Sequence, residues 1–286
     1  ESLPQLAGRF HGVSAAAVFR EKERPTIFSS SLEGLESTGK TYLPLMTFPT
    51  PIVHINFGDR EATLFAYDMS EQRREQTFFH SFHAKGAEGW TREEGRESIQ
   101  MLSTLAKAYL GEGQMAGGTF ILDSGSSWWQ VMQEVYVAPE EEKAIVAAQA
   151  KGKDFRKSGG LIYGKANLIV QGVLNWIKNQ GSYLVVTHQK FQEWDKDGPV
   201  VGKYRPRMNS QVPYIVEVRL NLKALCSTCG GPDCQAKDHI GRRHTAQLVK
   251  FGSKTQFVGM ELESPTFGDI YALYTGRVYP YPERLV

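Results

Sequence analysis

From residue 26 onward, apolar and polar positions alternate between two periods. Thr26–Leu32, Pro51–Phe57 (PIVHINF), Gly118–Asp123 (GTFILD) and Tyr183–Thr187 (YLVVT) are short apolar or β-rich runs with the length of buried strands. Between them the period lengthens. Arg92–Leu110 places Ile99, Leu102, Leu105, Ala106 and Leu110 at helical spacing, and Ile162–Lys178 does so with Leu168, Val170, Val173, Leu174 and Ile177. Lys40–Phe48 reads as a short helix; its Pro44 falls in the first turns, where a missing N–H costs little. Gln130–Gly160, rich in Glu and Lys and ending in two glycines, predicts a helix followed by a mobile loop. Strands separated by helices predict an α/β fold with a mainly parallel central sheet. Further on, Pro213–Leu225 and Thr245–Phe251 predict the two strands of a hairpin.

No internal repeat, Pro-rich linker or low-complexity tract divides the chain. The expected organisation is an N-terminal arm over 1–25, an α/β core over 26–220 and a β-rich C-terminal extension over 221–286. The composition is that of a globular chain: 286 residues, 41% hydrophobic, 22% charged, and 33 Lys+Arg against 31 Asp+Glu for a net charge of +2. It excludes a disordered tail, a collagen and a polybasic coat. No run approaches the roughly 18 apolar residues of a membrane helix, and Glu1–Phe10 lacks a basic-then-apolar signal pattern. A cytoplasmic protein with no membrane partner is the expectation.

Gly34-Leu35-Glu36-Ser37-Thr38-Gly39-Lys40-Thr41 matches G-x-x-x-x-G-K-[ST] at every fixed position, after one predicted strand and at the start of a predicted helix. A match at four fixed positions arises by chance in about one chain in a hundred of this size. The glycines let backbone N–H groups curl around phosphate oxygens, Lys40 reaches the β- and γ-phosphates, and the Thr41 hydroxyl ligates Mg²⁺. ATP and Mg²⁺ are thus the expected cofactors. A second acid must help hold the metal, and Asp123, closing the strand GTFILD, has the required place. No Glu follows it, so the group that orients the attacking water is sought at the end of PIVHINF, in Asp59 or Glu61. The polar tail of YLVVT supplies candidates for sensing the terminal phosphate in Thr187, His188 and Gln189, with Gln189 preferred.

The order GLESTGKT, an acid-bearing second strand, FILDSGS and VVTHQ resembles the RecA-like recombinase ATPases, especially the compact phage and archaeal RecA-core proteins, over Thr26–Leu220. The family's strand-end Glu is reached here only by a shift of register. The resemblance implies ATP bound between neighbouring subunits of a ring or filament, a homo-oligomer acting on single-stranded DNA in recombination or replication, and a phage- or virus-encoded origin. It implies that Lys40, Thr41 and Asp123 hold ATP and Mg²⁺, that Gln189 couples ATP to DNA, and that DNA-binding loops follow Asp123 and Gln189. A helicase or packaging motor on the same core, or a nucleotide-gated assembly module with negligible turnover, remain alternatives.

The residues add four further readings. Lys203, Arg205 and Arg207 alternate around Tyr204 and Pro206, the mixture of phosphate neutralisers and stacking ring that a single-strand groove uses; Lys151, Lys153, Arg156 and Lys157 form a second basic cluster. Cys226, Cys229, Cys234 and His239 spell C-x₂-C-x₄-C-x₄-H, a ligand set for tetrahedral Zn²⁺ that would clip the predicted hairpin, with His244 as an alternative imidazole. Lys250, Lys254 and Arg242 are candidates for a charge donated to a neighbour's site. Trp128 and Trp129 read as core or subunit-interface anchors.

Overall fold

The computed structural model describes residues 26–58, 61–86, 89–111, 113, 115–153, 159–195, 198–231 and 241–285; at 61–62 and 159–161 it describes the backbone alone. Strands β1 (Ser29–Gly34), β2 (Ile52–Phe57), β3 (Thr77–Phe82), β4 (Thr119–Asp123), β5 (Tyr183–Asp195), β7 (Val218–Cys226), β8 (Arg242–Phe251) and β9 (Glu261–Glu263) form one sheet in the order β3-β2-β4-β5-β1-β7-β8-β9, and β6 (Gly198–Pro206) pairs with β5. Neighbours run parallel from β3 across to β7; β7, β8 and β9 then pair antiparallel. Every residue of β1, β2 and β4 is buried, as a parallel sheet covered on both faces requires.

Side chains alternate between those two faces. Val53, Ile55, Phe57, Phe120, Leu122, Leu184 and Val186 pack under helices α3 (Arg92–Leu110), α4 (Gly125–Met132) and α6 (Gly159–Lys178). Ile52, Ile121, Tyr183, Val185 and Leu32 face the other way, toward α1 (Tyr42–Thr47) and α8 (Phe267–Thr275), where Phe267 sits among the rings of Phe28, Phe48, Tyr183 and Tyr279. Each fully buried large apolar side chain contributes about 1.5–3 kcal/mol. Trp128 and Trp129 lie in the first of these cores.

Several boundaries differ from the sequence reading, each for a local reason. β1 begins later and runs to Gly34, because pairing with β5 and β7 continues up to the glycine. The Gln130–Gly160 stretch is shared among the end of α4, a π-helical turn at Gln133–Val137 and α5 (Ala138–Gln149), which opens at a proline. Pro213 lies in the short helix α7 (Val212–Ile215), and strand pairing starts only at Val218. The position 220 expected to end the core falls inside β7. The strand β3, short and mixed in polarity, had no distinct periodicity. Between α1 and β3 lie a 3₁₀ turn, Glu61–Tyr67, and α2 (Glu71–Glu75), whose buried Arg73 donates to the Leu45 and Phe48 carbonyls and so caps the C-terminal end of α1. Among the described residues, no helix is long and apolar enough to cross a membrane.

Candidate nucleotide site

The loop between β1 and α1 is shaped by its glycines. A Cβ on Gly34 would lie 2.4 Å from the Thr38 hydroxyl and 2.8 Å from the Leu222 carbonyl oxygen, so no larger residue fits. Gly39 takes φ +87°, which L side chains rarely adopt. Inside the loop the Leu35 carbonyl accepts a hydrogen bond from the Thr38 hydroxyl at 2.8 Å and another from the Lys40 ammonium. The expected cradle, Gly34 through Thr41 with Leu35, Glu36, Ser37, Thr38, Gly39 and Lys40 between them, is therefore one compact turn.

Parallel registry brings the other parts to its edge. β1 lies beside β5, with Leu32 opposite Thr187 and Gly34 opposite Gln189; β5 lies beside β4, and β4 beside β2, with Asn56 opposite Asp123. All these strands deliver their C-terminal ends to the same side. Alternation then selects which side chains meet. Asp123, 5% exposed, accepts hydrogen bonds on Oδ2 from the Thr41 hydroxyl at 2.7 Å and from His54 Nε2 at 3.1 Å, and on Oδ1 from the Thr187 hydroxyl. Burial pushes this carboxyl upward, but the bonds from His54, Thr187 and Thr41 outweigh it and hold the group below the usual carboxylate range. The result is a buried anion against a hydroxyl. These hard oxygen donors fit Mg²⁺, which takes one or two protein oxygens and completes its shell with water and phosphate.

Gln189 faces the loop as well. Its side-chain amide donates to Glu36 Oε1 at 3.0 Å, its backbone N–H donates to Ser126 Oγ at 3.0 Å, and its carbonyl accepts from the Arg207 N–H at 2.9 Å. His188 points to the opposite face. It packs where a Cβ on Gly125 would come within 2.7 Å of its ring, and burial pushes its pKa down to about 3. Of the three strand-end candidates, Thr187 is thus engaged by the carboxylate, Gln189 lies against the loop, and His188 is a core residue.

Asp59 lies outside the described residues, and Glu61 opens the 3₁₀ turn with its side chain outside them. β2, which leads to both, ends beside Asp123. The segment after Gln189, expected as a loop, is an antiparallel ribbon: β5 continues to Asp195 and β6 returns along it, with Phe191 opposite Arg205 and Gln192 opposite Tyr204. The β-branched and aromatic residues on both runs, Phe191, Trp194, Val200, Val201 and Tyr204, suit such a pair. Lys203, Tyr204 and Arg205 are exposed, as are Val201 (90%) and Trp194 (73%), while the Arg207 guanidinium lies 4.0 Å over the Phe191 ring. After Asp123 the chain enters α4 directly rather than a loop, because Ser124 accepts from the Ser127 N–H and caps the helix at once. Of the second basic cluster, Lys151 and Lys153 are exposed, and Arg156 and Lys157 lie outside the described residues.

Of the proposed metal ligands, Cys226 closes β7 and is buried, whereas Cys229 is exposed on a turn where the Gly230 N–H bonds the Cys226 carbonyl and the Cys226 N–H bonds the Gly231 carbonyl. Cys234 and His239 lie outside the described residues, and among the described ones no group of three or more His, Cys, Asp or Glu is placed to hold a metal. His244 lies elsewhere, with Nδ1 3.3 Å from the Thr38 carbonyl oxygen of the phosphate loop. Lys250 donates to the carbonyls of Pro213 and Val216, and Lys254 to that of Leu273, so both ammonium groups bind their own chain. His54 was missed by the sequence reading. Its only signal was a polar residue inside an apolar strand.

No family model matches the chain, and no curated protein matches it. Among solved structures, a KaiC-like protein from the hyperthermophilic archaeon Pyrococcus horikoshii is similar at 11% identity and a TM-score of 0.42, over 82% of this chain and 84% of that one. The RadB recombinase is similar at 14% identity and a TM-score of 0.42, over 82% of this chain and 86% of its own. The P-loop arrangement of this chain is carried by its own features: a glycine loop at the end of β1, a mainly parallel sheet, and a buried aspartate two strands away that bonds the loop's last threonine.

Proposed function

We propose that this chain is a Mg²⁺-dependent P-loop ATPase that couples nucleotide turnover to single-stranded DNA, in recombination or replication, as a homo-oligomeric ring or filament. The observation that carries the coupling is Gln189. Its side chain bonds Glu36 in the phosphate loop while its backbone carbonyl bonds Arg207, at the base of a cationic and aromatic ribbon. A displacement of that amide by a terminal phosphate reaches the ribbon through one residue.

In this reading the loop N–H groups and Lys40 hold the phosphates and offset the charge that builds on them as the terminal group leaves. Thr41 and Asp123 hold Mg²⁺, which when bound neutralises phosphate charge. Asp59 or Glu61, past the end of β2, orients the attacking water and accepts its proton. Lys203, Arg205 and Arg207 neutralise DNA phosphates, and Tyr204 and Trp194 offer faces on which bases stack. Cys226, Cys229, Cys234 and His239 bind Zn²⁺ as a clip on the β7–β8 hairpin, a role in folding rather than turnover.

The test is ATP hydrolysis by the wild-type chain and Lys40→Ala, with and without single-stranded DNA at low salt. Stimulation by DNA that vanishes in Lys40→Ala is the expected result. A rate indifferent to DNA would overturn the coupling, and tight ATP binding without turnover under every DNA condition would make the chain a nucleotide-gated assembly module. Unwinding rather than annealing of strands would identify a motor.

A further inference from the structure

His54 stands in the middle of β2, where its neighbours Ile52, Val53, Ile55 and Phe57 are all apolar and buried. It is itself 1% exposed. Packing alone would be served by an aliphatic residue, since the ring makes one polar side-chain contact and Nδ1 has no hydrogen-bond partner among the described residues. That contact is Nε2 to Asp123 Oδ2 at 3.1 Å. The carboxylate is an acceptor only, so the proton of the bond belongs to Nε2. The Phe79 ring, 5.5 Å away between centroids, flanks the imidazole.

We infer that His54 is a positioning residue for Asp123, fixing the carboxylate so that it and the Thr41 hydroxyl are set for a divalent cation before nucleotide arrives. The inference rests on the nucleotide site proposed above. Three donors approach the carboxylate from three parts of the chain: Thr41 from the phosphate loop, His54 from β2 and Thr187 from β5. A carboxylate has about four lone-pair positions, so three bonds leave room for a metal or its water and remove the freedom to rotate. Thr41 spends its hydroxyl proton on Asp123, and the oxygen lone pairs stay open to a cation. Outer partners of this kind set the affinity of metal sites by about 10–100-fold. Thr187 comes from the strand bearing Gln189, whereas His54 comes from the strand leading to Asp59; His54 therefore ties the acid to the side of the site from which the water would be oriented.

The experiment measures binding of a fluorescent ATP analogue by wild type, His54→Leu, His54→Phe and His54→Gln, in EDTA and across a MgCl₂ titration, with a thermal melt of each. The expected result is that the affinity gained on adding Mg²⁺ falls about tenfold in the Leu and Phe variants and returns largely in His54→Gln, whose amide can donate from the position of Nε2. Equal Mg²⁺ gain in wild type and whichever apolar variant melts as a folded protein overturns the inference, and so does a Gln variant no better than that apolar one. Lys40→Ala, run alongside, tests the underlying reading separately: if it binds nucleotide as wild type does in EDTA, the phosphate loop is not the site, whatever His54 does.

Discussion

The two halves of β5 have opposite fates. Tyr183 to His188 are at most 1% exposed, with β4 on one side and β1 on the other; from Lys190 the strand has β6 as its partner and ends in exposed Trp194 and Asp195. In the first half each polar side chain with a role is matched, Thr187 to Asp123, and His188 is held by packing. In the second half charges and rings face solvent, and the ribbon has little core beneath it. Under the proposed function, chemistry that needs a dry, fixed geometry falls to the first half and contact with a long, variable, charged partner to the second. Gln189 is the residue between them.

That contrast can be broken from either end. The largest effect is expected from Asp123→Asn, which removes the buried anion. ATP hydrolysis should fall by roughly 10²–10³, the size of loss seen when one preorganised polar group leaves a reacting site. DNA affinity measured without nucleotide should change less than twofold. Fluorescence anisotropy with a labelled oligonucleotide reads the second quantity, and an equal loss in both would mean the two halves are not separable.

A smaller effect, confined to the ribbon, is expected from Lys203→Ala combined with Arg205→Ala. Single-strand affinity should drop about tenfold at low salt, and the slope of log affinity against log salt should shrink by about 1.4, the value for two lost phosphate contacts on a single strand. Nucleotide affinity without DNA should stay within twofold. An unchanged salt slope would remove the ribbon from the DNA path.

The smallest effect concerns stability. His188 has its pKa pushed from 6.5 to about 3 by burial. The unfolded chain therefore takes up a proton below pH 6.5 that the folded chain refuses until near pH 3, so this residue favours unfolding as pH falls through that window and costs nothing above it. Between pH 6.5 and 5.5 the contribution is about 1 kcal/mol. Urea unfolding at the two values should show wild type losing that much more than His188→Leu. Parallel losses would mean that the imidazole is protonated inside the fold.

How much was legible in advance differs between the same two regions. The glycine loop could be read residue by residue, because the backbone freedom of Gly34 and Gly39 and the motif around them lie within eight consecutive positions. The position of Asp123 could be read because it closes an apolar strand, which a parallel sheet ends on the side of the loop. The ribbon was expected as a loop because the family resemblance implied DNA-binding loops after Gln189, whereas the residues on either side of 196–197 pair as antiparallel strands. His54 carried almost no signal. A histidine 69 residues before its partner becomes meaningful only when β2 lies beside β4 in a register that turns both side chains to one face.

The amino-acid sequence by itself determined the α/β class, the phosphate loop and the acid strand, because period and local motif depend on neighbours within a few residues. Tertiary structure alone decided the strand order, and with it that Thr187 and His54 bind Asp123, that His188 is buried away from the site, and that His244 rests on the loop rather than beside Cys226. These pairings depend on which strands lie side by side and in what register. That choice is settled by the burial of both sheet faces at once, a sum over the whole core that no short stretch of sequence contains.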